Sequence, residues 1–231
     1  MSKVKIYSAS GCPFAQRSRL VLLEKGLDFD LVEIDLQNKP AGFTSISPYS
    51  KVPVIHYGDD RVWESTIINE YLEETFPEPP LLPQVPGKKA IARIWIDFAN
   101  TKFIPAFYKL LMNQEPQEQR MWTEELQKHL LFMEHQGLRQ LSQSGSFWLG
   151  DSPSLVDFSY YPWFERWAAL EQYRGISLPA DCDRLQQWWV AMNQRDSVQA
   201  TLQPAEFHIQ QYAKYANDSA SGVTAQELRR Y

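Results

Sequence analysis

The chain has 231 residues, 44% of them hydrophobic, with a formal net charge of −5 and a pI near 5.4. That length supports a sizeable core in one domain or two, and the acidic balance argues against a general nucleic-acid surface. Two cysteines cannot build a disulfide framework, the N-terminal Met-Ser-Lys-Val-Lys opens no signal-type apolar stretch, and no run nears the roughly 18 apolar residues of a membrane span, so a soluble cytoplasmic protein is expected.

Val4–Tyr7 reads as a short apolar strand, and residues 13 to about 26 as a helix with Leu20, Leu23 and Leu27 on one side and Gly26 as its stop. Between them lies Gly11-Cys12-Pro13. Pro13 is tolerated at the first helical position, because its missing N–H would have had no intrahelical partner. Cys12 therefore falls at a helix N-terminus, where free backbone N–H groups and the positive dipole end favour a thiolate. A free cysteine is often just a small buried hydrophobe, but the strand–Gly–Cys–Pro–helix setting favours a reactive thiol. Residue 15 is alanine, so there is no Cys-x-x-Cys pair, and a disulfide at Cys12 needs an outside thiol to release it. Cys182, near Pro179-Ala-Asp, reads as structural or incidental.

Residues 28–34 supply a second strand and 53–57 a third, and Gly58-Asp59-Asp60 marks a hairpin turn into Val62-Trp63. Ser65 reads as the cap of a helix running to Phe76. The sum is β-α-β-(α)-β-β-α. Prolines at 77, 79, 80, 83 and 86 then rule out continuous helix or central strand and mark a linker. Beyond it strand signals fade. A helix from Lys88 to about Met112 carries Ile91, Ile94, Phe98 and Phe103, with Pro105 as a kink, and a second long helix spans 117–141. Of the eight tryptophans, Trp148, Trp163, Trp167, Trp188 and Trp189 all lie in the second half, most of them as core and some available to line an apolar pocket. The tail from Asn217 is polar and expected to be partly disordered. No internal repeat is visible.

An X–Pro bond is cis in only about 5–6% of cases in folded proteins, so Val52-Pro53 is expected to be trans on these grounds alone. Glu64-Ser65 stands at a strand-to-helix junction. Such an end is a cap, and it can also bind a carboxylate. Lys39 offers a second anion contact, although taken alone it reads as a solvated charge. Ser154-Leu-Val-Asp157 is a capping box with aspartate in the fourth position, flanked by Pro153 and Phe158 as a hydrophobic staple. Tyr161-Pro-Trp163-Phe-Glu-Arg166-Trp167 places Trp163 and Arg166 on one face of a helix kinked by Pro162, in a structural role or against a substrate. His56, His129, His135 and His208 show no metal-ligand spacing, and no metal site is expected; His56 as a base for Cys12 is disfavoured. There is no Gly-rich phosphate loop and no G-x-S-x-G elbow.

Taken in order, Cys12-Pro-Phe-Ala-Gln-Arg17, Asn38-Lys39-Pro40, Lys51-Val52-Pro53-Val54, Glu64-Ser65, the proline linker and Ser154-Leu-Val-Asp157 resemble the glutathione transferase superfamily over nearly the whole chain. The Cys12 motif is similar to the cysteine-type classes (omega, lambda and dehydroascorbate reductase). Pro162-Trp163-Phe-Glu-Arg166 is similar to the omega-type helix that lines the second-substrate site. The resemblance implies a thioredoxin-like N-terminal domain (residues 1–77), the linker (78–87), an all-helical domain forming the second-substrate pocket (88–216) and the tail (217–231). It implies a cis bond at Pro53, reversing the bare-sequence expectation. It also implies glutathione as co-substrate without a metal: the Val52 backbone pairing the cysteinyl group, Glu64 and Ser65 the γ-glutamyl end, Lys39 the glycine carboxylate, with Phe14 and Pro53 in the same site. Trp163 and Arg166 would shape the pocket for a small electrophile or disulfide, and the protein would form a homodimer.

The expected activity is glutathione-dependent thiol transfer and dehydroascorbate reduction with Cys12 as nucleophile. The competing readings are a conjugating or dehalogenating transferase, with Tyr7, Ser8 or Ser10 nearby, and a noncatalytic transferase-like binding or regulatory module.

Overall fold

A computed structural model describes residues 3–229. Strand β1 (Val4–Ser8) turns Val4, Ile6 and Ser8 inward in period-two alternation. It pairs in parallel with β2 (Phe29–Glu33), and antiparallel with β3 (Val54–Tyr57), so that Ile6 lies opposite Leu31 on one side and Ile55 on the other. Strand β4 (Asp60–Trp63) completes the order β2-β1-β3-β4 through a two-residue turn in which Gly58 takes φ 58°. The parallel β1–β2 pair requires a crossover, which helix α1 (Pro13–Glu24) provides. Gly26, at φ 62°, ends it as the sequence predicts, with its N–H on the Leu23 carbonyl at 3.0 Å.

The buried side of α1 is broader than the expected stripe. Leu20, Val21 and Leu22 are all fully buried, while Leu23 and Leu27 are half-buried. The cause is that α1 is covered twice, by α3 (Ser65–Thr75) of its own domain and by α8 (Leu155–Glu165) of the next. A short helix, α2 (Phe43–Ile46), fills the β2–β3 connection.

The linker is pinned rather than loose. Buried Lys25 donates to the carbonyls of Phe76 (2.7 Å) and Pro79 (2.9 Å) and pairs with Glu73, whose carboxylate accepts the N–H groups of Leu81 and Leu82 at 3.0 Å. It ends earlier than expected, because Pro86 is the first residue of α4 (Pro86–Phe98). A widened π turn (Ala99–Phe103) leads into α5 (Ile104–Met112), accommodating the missing N–H of Pro105. The second long helix is α6 (Pro116–Phe132), continued by a π segment (Met133–Leu138) and a last turn, α7 (Arg139–Leu141). Pro162 lies inside α8, and the chain bends at Arg166 before α9 (Trp167–Arg174). Helices α10 (Asp183–Asn193), α11 (Asp196–Gln199) and α12 (Ala205–Ala216) follow. Among the described residues no helix is long and apolar enough to cross a membrane.

The tail departs from expectation. Val223–Leu228 forms a helix, α13, that buries Ala225 and Leu228, and its Glu227 pairs with Lys51 at 2.5 Å. A few small apolar residues in a polar segment suffice because they land on an existing surface. Residues 230 and 231 lie outside the described residues.

The helical core is aromatic: Trp148 stacks on Tyr160 with centroids 4.7 Å apart, and Trp163 and Trp188 are fully buried. Asp157 ties it together. One oxygen accepts the Trp148 N–H (3.0 Å) and the Trp188 indole N–H (2.8 Å), and the other accepts the Ser154 N–H (2.7 Å) and hydroxyl (2.6 Å). Burial raises this carboxyl group's pKa, while these donors favour its ionised form. Asp157→Ala leaves buried donors unpaired and is expected to lower unfolding stability by about 3 kcal/mol, read as a reduced denaturant midpoint with a loss of near-UV dichroism at the tryptophans.

Candidate active site

Cys12 is the N-cap of α1. Its N–H donates to the Ala9 carbonyl and its carbonyl accepts the Gln16 N–H, both at 3.0 Å. The side chain packs with Ala9, Ala15, Ile34, Phe43 and Val52, and Sγ lies 3.9 Å from the Val52 carbonyl oxygen, a long S–H···O contact. Burial pushes the thiol up. The N–H groups of Ala15 and Phe14 and the charges of Arg166 and Arg19 pull it down, and burial outweighs them. The thiolate expected from the helix end is thus not the resting form, because the sulfur faces apolar side chains as well as the dipole. Cys12 as a residue is half-buried rather than enclosed, which tempers the rise without reversing it.

In front of this loop lies a groove of about 490 Å³. The N-terminal domain contributes Phe14, Lys51, Val52, Pro53, Trp63, Glu64 and Ser65. The helical domain contributes Asn100, Thr101, Ile104 and Pro105, and α13 contributes Thr224, Glu227 and Leu228. Cys12 is not itself in this lining; its neighbours Phe14 and Val52 are.

The Val52–Pro53 bond is cis, against the bare X–Pro expectation and in line with the resemblance. Glu64, not Ser65, is the N-cap of α3, at φ 67°, ψ 116°. The reversal from β4 into α3 forces a non-glycine residue into left-handed backbone, a strain of the kind held at ligand sites. Ser65 becomes the first helical residue, and Ser65 and Thr66, at the end of α3 whose first N–H groups have no intrahelical acceptors, line the groove.

Lys39 lies outside the groove lining and donates to the Ser50 carbonyl at 2.7 Å. Lys51 stands in the groove instead, a residue the sequence reading passed over although it opens the Lys51-Val52-Pro53-Val54 run. Trp163 and Arg166, expected as pocket walls, are fully buried and do not line the groove. Helix α8 lies behind α1, so Trp163 touches the site indirectly: Phe14 packs edge-on against it at 5.0 Å, and the Arg17 guanidinium sits 4.5 Å over its ring. Arg17 donates to Asn100 Oδ1 at 2.8 Å and to the Ser159 carbonyl at 2.6 Å, and burial lowers it to about 9. Arg17, Asn100, Ile104 and Pro105 were not foreseen as site residues. They belong to helices whose spacing says nothing of a shared groove.

His56 lies in mid-β3 opposite Lys5 and Arg61, with its ring against Tyr7 at 5.3 Å, and its Nε2 finds no hydrogen-bond partner among the described residues. Burial and the two cations hold it below the usual imidazole range. Cys182 is fully buried and its thiol is pushed up to about 11, which suits a structural residue. Among the described residues no group of His, Cys, Asp and Glu is arranged to hold a metal ion.

Residues 11–75 match the model of the glutathione S-transferase N-terminal domain, and residues 92–188 that of its C-terminal domain. Mouse glutathione S-transferase omega-1 is 34% identical over 83% of this chain and 77% of its own length; Arabidopsis thaliana glutathione S-transferase U28 is 31% identical over 92% and 94%. Among solved structures, glutathione transferase Omega 3C from Trametes versicolor aligns with a TM-score of 0.82 at 32% identity, covering 92% of this chain and 90% of that one. The dehydroascorbate reductase of Chlamydomonas reinhardtii aligns with a TM-score of 0.78 at 27% identity, covering 92% and 98%. The chain belongs to the glutathione S-transferase family, with its thioredoxin-like N-terminal and helical C-terminal domains.

The raised thiol has a direct consequence. Alkylation of Cys12 by iodoacetamide is expected to quicken about tenfold per pH unit and to pass, without levelling off, the pH of about 8.5 where an exposed cysteine plateaus. Quenched-flow alkylation with mass-spectrometric counting of the Cys12 adduct measures it.

Proposed function

We propose that this protein is a glutathione-dependent thiol transferase and dehydroascorbate reductase that uses Cys12 as its nucleophile. The observation that carries the reading is a lone cysteine at the N-terminus of α1, backed by two arginines and adjoining the groove through Phe14 and Val52. The likeness to omega-class proteins and to a dehydroascorbate reductase supports it.

In this reading glutathione occupies the N-terminal side of the groove. Its γ-glutamyl carboxylate meets the opening turn of α3 at Glu64 and Ser65, and its cysteinyl N–H takes the Val52 carbonyl, the same acceptor the Cys12 thiol approaches. The glycine carboxylate is left to a cation, Lys39 by the resemblance. Lys51, already in the groove, is the nearer candidate by geometry. The Cys12 thiolate attacks the glutathionyl sulfur of a mixed disulfide, forming a Cys12–glutathione disulfide and expelling the other thiolate, which takes up a proton. A second glutathione thiolate attacks the glutathione sulfur of that bond, releasing Cys12 thiolate and oxidised glutathione. With dehydroascorbate, the two electrons from two glutathiones and two protons pass to the substrate, giving ascorbate. Alanine at position 15 leaves no internal thiol to short-circuit this route.

One observation favours a second reading. Because burial holds the Cys12 thiol up, glutathione's own thiolate could be the attacking group, with an electrophile as partner. Cys12→Ser separates the two. Loss of mixed-disulfide and dehydroascorbate reduction by a factor of about 10³ or more supports the first. Reductase rates unchanged in that variant refute it, and conjugation that survives or rises favours the second.

Ser65→Ala is expected to raise the glutathione Kd about tenfold, as loss of a hydrogen bond to a charged group does, and calorimetry reads it. A homodimer is the assembly proposed. Ile67 on α3 and Ile94 on α4 are about 60% exposed, on helices joined by the Arg93–Glu70 ion pair, and suit a shared apolar contact.

A further inference from the structure

Behind Cys12 lies a buried polar cluster that the exchange chemistry leaves unused. Arg166, at the bend between α8 and α9, is fully buried. Its Nη1 donates to Gln16 Oε1 at 2.6 Å and to the Pro162 carbonyl at 2.7 Å, and its Nη2 reaches the Gly11 carbonyl at 3.4 Å. That carbonyl belongs to the Gly11–Cys12 peptide. A side chain of the helical domain therefore grips the loop that presents the thiol.

The neighbouring carboxylate is directed elsewhere. Glu165 Oε2 accepts from Gln16 Nε2 at 2.5 Å, while Oε1 meets His208 Nε2 at 2.8 Å and the Gln203 N–H at 3.3 Å. Its closest approach to Arg166 is 3.9 Å. The Gln16 amide stands between the two charges, oxygen toward the guanidinium and NH₂ toward the carboxylate, an order its partners fix. The acceptors hydrogen-bonded to Arg166 are all neutral. Its charge is only partly offset, and in a buried setting the remainder reaches a sulfur one residue beyond its Gly11 contact.

We propose that Arg166 is the positioning residue of Cys12: it anchors the Gly11–Cys12 peptide to the helical domain and stands as a buried positive charge behind the sulfur, while Gln16 and His208 hold Glu165 back from neutralising it. The proposal rests on the reading of Cys12 as the nucleophile. It turns a residue expected to touch the second substrate into one that acts through the thiol.

Other groups facing Cys12 do not replace this charge. From α1 come Arg17 and Arg19, Arg17 hydrogen-bonded to Asn100 and Ser159, and Arg19 facing Glu33 of β2. Of these cations Arg166 acts on the thiol more strongly than Arg19. From α12 come Tyr212 and Tyr215, whose phenols burial keeps protonated, and His208, which burial holds below the usual imidazole range and so neutral at pH 7. The β3 side offers the Val52 carbonyl, which carries no charge.

The test uses the full chain carrying Cys182→Ala, so that one thiol remains, and follows iodoacetamide alkylation against pH without glutathione. Arg166→Met alone would strand a buried carboxylate, so the decisive comparison is Glu165→Gln with Glu165→Gln/Arg166→Met, neither of which keeps a buried carboxylate without its arginine, and the two differ only in the cation. Glu165→Gln is expected to alkylate severalfold faster than its parent at pH 7, since it removes the opposing charge. Adding Arg166→Met is expected to slow alkylation about tenfold at pH 7, with the two rates converging at high pH where the thiol is ionised in both. Arg166→Lys in the Glu165→Gln background is expected to recover most of that loss. Superimposable pH profiles for Glu165→Gln with and without Arg166→Met overturn the proposal. So does a slowing that persists undiminished at high pH, which marks a purely steric effect. Turnover does not enter the measurement, so failure of the Cys12 reading, which unchanged reductase rates in Cys12→Ser would show, is seen separately.

Discussion

Arg17 reaches out of α1 into the helical domain, where the Ser159 carbonyl takes two of its N–H groups, Asn100 takes a third and Trp163 lies beneath its charge. The cation has no carboxylate among its hydrogen-bond partners, and burial costs it enough to lower it to about 9. It stays charged at neutral pH because carbonyl oxygens and an aromatic face substitute for water. This contact ties the helix bearing Cys12 to the second domain. With the other contacts of α1 it holds the thiol and the helical wall of the groove together.

The remaining side chains of α1 repeat the arrangement at shorter range. Phe14 packs on Trp163, Gln16 sits between Glu165 and Arg166, and Glu24 pairs with Arg195 and accepts the Ser197 hydroxyl. Both domains thus close on one helix, which explains why Leu20 to Leu22 are buried without amphipathic spacing. Burial of this extent steadies the helix end, and it also denies Cys12 the water that would favour its thiolate. Position and reactivity pull against each other at this cysteine. The arginines at its back are the counterweight.

The groove is assembled from three separate stretches of chain. A strand-to-helix reversal at Glu64 and the Lys51–Pro53 segment form one side, and the π turn before Pro105 helps shape the other. The short α13 lies across them, tied to Lys51 through Glu227. Two of these features, the left-handed Glu64 and the π turn, depart from regular backbone beside the site. Such departures persist where surrounding packing over-determines them.

Much was legible from residues alone. Gly11-Cys12-Pro13 announced a helix N-terminus, Gly26 its end, Gly58-Asp59 a hairpin and Ser154 with Asp157 a capping box, because each depends on contacts within a few residues. The motif order resembled a family whose fold the structure bears out. What could not be read depends on distance between elements. Trp163 and Arg166 went from pocket walls to buried supports because α8 lies behind α1 rather than beside the groove. Lys51 gained the groove that Lys39 was expected to serve, and a polar tail became a helix because a few apolar residues met a waiting surface. The Cys12 thiol rose instead of falling, since the helix end is a local property whereas burial is set by everything packed around it. Short-range chemistry is written in the chain; which faces meet, and how dry they are, only tertiary structure decides.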